Sequence, residues 1–313
     1  MGNIILNGKE FGKTSDVTAC KEKALVTGSA RYDQGRKGQY LFREGEKFEI
    51  KPFAIGQYEV TQELYKAVLE NDGDCIFSPS KFRAFPKEGE VQELRPVDQV
   101  TWFDAVYFCN ELTKKTMGEE HCVYTITNIR RSEKPAFHEE GAFEFVGFLD
   151  GVPVEQYTGK GSIEYQFEPS DKGYIYSAEV TADYTKKGYR LPTEIEWEYA
   201  ARGGENAEIP FGDDAISEAG WYLKNSDGRT HEVGLKKPNG LGLYDMSGNV
   251  CEWCSDLYVH NGFDDGRQRF GKERQARGGD FNHNAALASV ARRDYREPAN
   301  RLCNIGFRLA RSI

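Results

Sequence analysis

Apolar positions recur at helical spacing in three short stretches of this chain. Behind Thr61, Leu64, Ala67 and Val68 line one side of the segment from Gln62 to Leu69, and Asn71-Asp72-Gly73 supplies a stop. In the second stretch Trp102, Ala105, Val106, Cys109 and Leu112 share a face, behind Thr101 and Asp104, which approximate a capping box with Asp in place of Glu. The third begins at Pro192-Thr193 with Glu196 three residues on, carries Ile195 and Tyr199 on one stripe, and stops at Gly203-Gly204. Strand patterns are shorter: Phe48-Glu49-Ile50 running into Phe53-Ala54-Ile55, a partial alternation over Phe143 to Phe148, and Ile305, Phe307 and Leu309 on one face near the end. Between Ala136 and Lys186 the chain is polar, aromatic and studded with glycine, with no helical stripe. The pattern predicts a single α+β domain over 1–313, with few short helices, much irregular structure and a β-rich insertion at 136–186.

Composition narrows the class. The 313 residues suffice for a core without disulfide staples, and 33 glycines with 13% aromatics describe a globular chain rich in turns. A net charge of −9 argues against a nucleic-acid binder that relies on overall positive charge. No apolar run is long enough for a membrane-spanning helix, and the opening MGNIILNGKEFGKTSDVTAC lacks the basic start and apolar stretch of a secretory signal. Met1-Gly2 is not followed by the Ser or Thr that a myristoylation start needs at position 6, so no lipid anchor is read here either.

Charge is unevenly spread: nine basic residues stand against four acidic ones from Phe270 to Ile313. Two readings follow, internal pairing of these arginines with carboxylates and loop carbonyls, or an anion-binding patch. The seven cysteines are odd in number and scattered, which does not describe a disulfide framework and leaves the redox compartment open. Cys251-Glu-Trp-Cys254 has the spacing of half a zinc site or a redox pair, but no second pair of Cys or His stands near it, so both read as buried small hydrophobes.

A series of motifs then appears in one order: Gly56-Gln57-Tyr58-Glu59-Val60-Thr61-Gln62, Arg95-Pro96-Val97, Tyr189-Arg190-Leu191-Pro192-Thr193-Glu194, Glu196-Trp197-Glu198-Tyr199-Ala200-Ala201-Arg202-Gly203-Gly204, Asn239-Gly240-Leu241-Gly242-Leu243-Tyr244-Asp245-Met246-Ser247-Gly248-Asn249-Val250, Glu252-Trp253, Arg277-Gly278-Gly279 and Gly306-Phe307-Arg308. From about Ala24 to the C-terminus the chain resembles the formylglycine-generating-enzyme (sulfatase-modifying factor) family, a variant of the C-type lectin fold. The resemblance implies that fold. It also implies where chemistry would sit. The enzymes carry a cysteine pair shortly after the last Gly-Gly, and those two slots here hold His283 and Ala288. A lone imidazole does not replace two soft thiolates, so no catalytic residue and no required cofactor are expected. Asp245, Gly248, Val250 and Glu252 align with a calcium site of the enzymes, where carboxylate and main-chain oxygens suit Ca2+. Without the resemblance, Asp245 and Glu252 read equally well as turn caps paired with arginine.

The stretch from Asp280 to Asn304 lies between two scaffold motifs and resembles the variable region of diversity-generating retroelement proteins, in which an Asn-rich template is copied with errors at adenines. The retained frame would be Ala285, Val290, Ala291, Arg293, Pro298, Asn300, Arg301 and Asn304. The ligand-facing positions would be Asp280, Phe281, His283, Asn284, Ala286, Leu287, Ser289, Arg292, Asp294, Tyr295, Arg296, Glu297, Ala299, Leu302 and Cys303. Randomising both adenines of an AAC codon cannot give Trp, Met, Lys, Gln or Glu, and of these positions only Glu297 breaks that restriction. The resemblance thus implies a non-enzymatic, receptor- or adhesin-like protein at the cell surface or outside the cell, with a protein or glycan ligand. The competing expectation is an oxidoreductase of the formylglycine-generating type, or a relative with altered chemistry.

Overall fold

The computed structural model describes residues 2–17, 50–73, 78–82, 86–132, 173–203, 213–258 and 273–313, with backbone alone at 148–149, 152–153 and 213–215. The chain opens with β1 (Gly2–Leu6) and β2 (Lys9–Val17), an antiparallel pair, followed by β3 (Phe53–Gly56). Helices α1 (Gln62–Leu69) and α2 (Trp102–Thr116) come next, then β4 (Tyr124–Arg131), the short pair β5 (Phe148–Leu149) and β6 (Val152–Pro153), and β7 (Ile175–Ala182). After α3 (Glu194–Ala201) and α4 (Asp213–Ala219) the chain finishes in strands: β8 (Cys251–Leu257), β9 (Arg274–Arg277), β10 (Arg293–Arg296), β11 (Ile305–Gly306) and β12 (Ala310–Ser312).

The three expected helices form where their caps place them. Thr61 Oγ1 accepts from Leu64 N, and full capping boxes join Thr101 to Asp104 and Thr193 to Glu196. Asp104 therefore does the work of Glu at the third position, and its second oxygen accepts from Ile175 N, 2.8 Å away, fastening β7 to the start of α2. The apolar face of α2 packs with α1 and with Phe307, Leu309 and Trp253 in the larger core cluster. There Phe108 stacks on Tyr65 at 5.1 Å and meets Phe307 edge-on.

Two four-stranded sheets organise the described residues, in the orders β1-β2-β3-β12 and β10-β9-β8-β11. Of the apolar run Ile305 to Leu309, read from sequence as one strand, only Ile305 and Gly306 are strand, paired with β8; Phe307 to Leu309 cross between the sheets, and Ala310 to Ser312 then pair with β3. The reason is Arg308, whose guanidinium turns inward at this crossing and bonds Gly56 O and Tyr244 O. β1 and β2 carry no clean alternation and were not foreseen in the pattern. The alternation at Phe143 to Phe148 falls outside the described residues apart from Phe148 itself, as does most of the 136–186 insertion. Its described flanks form the antiparallel β4–β7 pair.

Candidate functional site

The stretch expected to meet a ligand is held at fixed points by buried ion pairs. β10 lies beside β9 with Arg293 opposite Arg277 and Tyr295 opposite Gln275. Opposite residues of an antiparallel pair share a face, so Arg293 and Arg277 both point toward α3. Arg293 grips Glu194 through Nε at 2.6 Å and Nη2 at 2.9 Å. Arg277 bonds Glu194, Glu198 and, at 2.9 Å, the carbonyl of Val290. Arg202 completes the group on Glu198. The basic excess at the C-terminal end is thus largely spent on internal pairing, the first of the two readings above.

Gly279 makes the approach to this segment possible. Its φ of +66° lies in the left-handed region, and a Cβ there would meet Ala288 Cα at 2.6 Å. The chain then runs Asp280-Phe281 inward, with Phe281 N donating to Asn249 O at 3.0 Å and Ser226 Oγ donating to Phe281 O at 2.8 Å. A turn follows in which Asn284 O accepts from Leu287 N and Ala288 N, and His283 O accepts from Leu223 N.

Burial separates half of the expected frame from most of the expected ligand-facing positions. Val290, Ala291, Arg293 and Arg301 are buried, while Ala285, Pro298, Asn300 and Asn304 are half-buried. Of the ligand-facing set, Glu297 is exposed, and His283, Asn284, Ala286, Leu287, Ser289, Arg292, Asp294, Tyr295, Arg296, Ala299, Leu302 and Cys303 are half-buried. Two positions depart from the expectation. Asp280 is 0% exposed and Phe281 5%, so neither offers its side chain to a ligand. Phe281 packs edge-on against Phe82 at 5.3 Å, and Asp280 accepts from Asn282 N and Asn304 Nδ2, each at 2.8 Å. Both turn inward because each side chain finds its partner inside the fold, Phe82 for Phe281 and Asn304 for Asp280.

On β10 Asp294 and Arg296 form a 2.6 Å ion pair. His283 lies nearby with Nδ1 2.8 Å from Asp280 Oδ2. Burial works against a charged imidazole here, but Asp280 and Asp294 outweigh it and hold His283 above the ordinary histidine range. Tyr295 rests against Tyr258 with ring centres 4.5 Å apart, and the Arg301 guanidinium lies 4.5 Å from the Tyr174 ring. Phe82, Tyr174 and Tyr258 border this surface from segments remote in sequence. No local signal marks them, since each is an aromatic residue whose role is set by a tertiary contact.

No thiol stands at the two slots after Gly279. Ala288 is fully buried among Ile216, Tyr222 and Ala285. Cys251 and Cys254 are buried and free, and burial pushes both thiols well above their ordinary range, which disfavours the reactive thiolate. We expect alkylation of the native protein to label Cys251 and Cys254 at least ~100-fold more slowly than in denaturant, because reaction waits on an opening of the core. Mass spectrometry of peptides over time reads this directly.

The residues aligned with a calcium site do not fit a cation as a set. Both oxygens of Glu252 are engaged, by Arg308 Nε at 2.6 Å and Nη2 at 2.7 Å, with Trp197 Nε1 at 2.7 Å from the first. Asp245 accepts from Gly234 N at 2.8 Å and keeps one buried oxygen, Oδ1, without a hydrogen bond among the described residues. Burial pushes the Asp245 carboxyl up to about 6. Among the described residues no three His, Cys, Asp or Glu side chains are grouped to hold a metal. Glu252 is instead the arginine-paired carboxylate of the alternative reading.

Comparison with known proteins agrees with this architecture. The structure of Treponema denticola variable protein 1 superposes with a TM-score of 0.69 at 28% identity, covering 100% of this chain and 99% of that one. Chaperone protein LppX of Paenibacillus barcinonensis is 30% identical over 268 residues, 79% of this chain and 75% of that protein. The formylglycine-generating enzyme of Mus musculus is 34% identical over 148 residues, and the match spans only 40% of either chain. No helix among the described residues is long and apolar enough to cross a membrane. The model of the sulfatase-modifying factor enzyme 1-like domain matches residues 10–313, beginning before Ala24 because β2 is part of the same sheet as β3. By that match the chain belongs to the sulfatase-modifying factor enzyme 1-like family.

Proposed function

We propose that this protein is a non-enzymatic binding protein whose ligand, a protein or a glycan, docks on the surface formed by residues 283–303. One observation carries the reading: around buried anchors at Val290, Ala291, Arg293 and Arg301, the side chains from His283 to Cys303 that are expected to vary between copies sit at least partly in solvent. A surface of this kind changes partners without disturbing the core, because the contact residues are not the packing residues. Tyr295 and Leu287 supply apolar area, and Arg292, Arg296, Asp294 and His283 supply directional polar contacts. The full-length likeness to a Treponema variable protein supports both the binding role and display at the cell surface. Retroelement copying is the matching source of variation. An adenine-rich template repeat and a reverse transcriptase beside the gene are expected, and a locus without them removes that part of the reading.

The test uses arrays of glycans and of purified surface proteins. The wild-type chain is expected to bind a discrete subset, and the Tyr295→Ala, Arg296→Ala double variant to lose it by ~10-fold or more, with its melting temperature nearly unchanged. Retained binding, or a large loss of stability, would remove Tyr295 and Arg296 from the ligand surface. In parallel, incubation with copper and a sulfatase-motif peptide should leave the peptide mass unchanged. Loss of the cysteine thiol mass would establish the oxidoreductase instead.

A further inference from the structure

Asp280, fully buried, stands at the entry of the ligand-facing segment and touches its exit. Its Oδ1 accepts from Asn282 N and its Oδ2 from Asn304 Nδ2, both at 2.8 Å, while His283 Nδ1 lies 2.8 Å from the same Oδ2. These ends are 24 positions apart in the chain, and Asn304 is fixed to the sheet by its carbonyl, which accepts from Cys251 N at 2.8 Å. We propose that Asp280 is a positioning residue of the binding surface, a clamp that joins the two ends of the segment and whose third contact, from His283, holds the 281–289 turn more tightly when the imidazole is protonated. The functional meaning rests on the binding role above; the clamp itself does not.

The chemistry follows from the donor set. A buried carboxylate accepts hydrogen bonds on both oxygens and is stabilised when each is met. Asn282 N and Asn304 Nδ2 meet one each at any pH, whereas His283 Nδ1, close to Oδ2 but outside hydrogen-bond geometry, acts on the carboxylate through the charge it carries when protonated. The charged groups facing His283 are Asp280 from the loop after β9, and Asp294 and Arg296 from β10. The two carboxylates favour the charged imidazole and Arg296 opposes it. Because the folded form holds the proton more tightly than the unfolded chain, this contact contributes fully at acidic pH and is lost as pH rises through the raised folded value. Asp280 and Asn304 then belong to the frame, and His283, at a position expected to vary, makes the pH response a property of this copy.

No ligand is needed for the test. Imidazole titration by NMR and amide hydrogen exchange, corrected for intrinsic rates, are followed in the full chain for wild type, Asp280→Asn, Asn304→Ala and His283→Gln. Wild-type His283 is expected to titrate above an ordinary histidine, and exchange over 281–289 to quicken as pH rises. Asp280→Asn should move the titration down and speed exchange by ~10–100-fold at pH 6, the worth of lost charge-assisted hydrogen bonds. Asn304→Ala should speed exchange at every pH. His283→Gln should abolish the pH dependence while leaving the Asn304 contact intact. Exchange that keeps its pH dependence in His283→Gln, or protection unmoved in Asn304→Ala, overturns the proposal even if Asp280→Asn does not fold. Array binding lost without any of these changes would leave the binding role standing and the clamp refuted.

Discussion

Replacing Arg308 with Met is expected to cost about 3–5 kcal/mol of folding stability, read as a shift of the urea midpoint at unchanged slope. Arg308 is fully buried and carries Glu252 bidentately, with Gly56 O and Tyr244 O on its remaining donors. Two further buried carboxylates lie close enough to feel it. Glu59 accepts from Asn249 Nδ2 at 2.7 Å and Val250 N at 3.1 Å, and burial, with Asp245 and Glu252 beside it, raises its carboxyl well above the usual range. Met matches the length of the stem but supplies no charge, so the cost is that of leaving carboxylates buried without their cation, not of a cavity. Arg308→Lys should recover only part, since an ammonium cannot bridge both oxygens of Glu252 and the two carbonyls at once. A loss under about 1 kcal/mol for Arg308→Met would mean that Glu252 finds another partner or reaches water.

Neighbouring arginines should behave oppositely. Arg293→Ala is expected to destabilise by about 3 kcal/mol, since it removes the bidentate partner of buried Glu194 and leaves it only the 3.2 Å contact from Arg277. Arg292→Ala, one residue earlier and half-buried, should stay within about 0.5–1 kcal/mol and alter ligand choice instead. Paired thermal melts and array binding of the two variants decide between a frame with an interchangeable face and a segment that is structural throughout. Equal stability losses would count against the proposed function. The contrast arises at the start of β10, where register with Arg277 turns Arg293 toward α3.

Helices α1, α2 and α3, though not α4, were legible in the sequence because their determinants lie within a few residues of one another. Thr101 with Asp104, and Thr193 with Glu196, cap their own helices, and the i, i+3, i+4 stripe of α2 needs no distant partner to be read. The motifs around Gly279 and Gly306 that bracket the segment proposed to meet a ligand were legible, and so was the absence of thiols at 283 and 288. The sheet order was not: β8 joins β9 on one side and β11 on the other, and strand periodicity names a face but no neighbour. For the same reason the sequence placed Asp280 and Phe281 among the solvent-facing positions and left Glu252 open between a cation ligand and an arginine partner. Asp280 meets Asn304, Phe281 meets Phe82, and Glu252 meets Arg308, each across a separation that only the folded chain closes. Local spacing therefore determined the three capped helices, and motif order suggested where the 280–304 segment begins and ends; tertiary packing decided which of its side chains face inward, because burial and pairing depend on what the rest of the fold brings alongside.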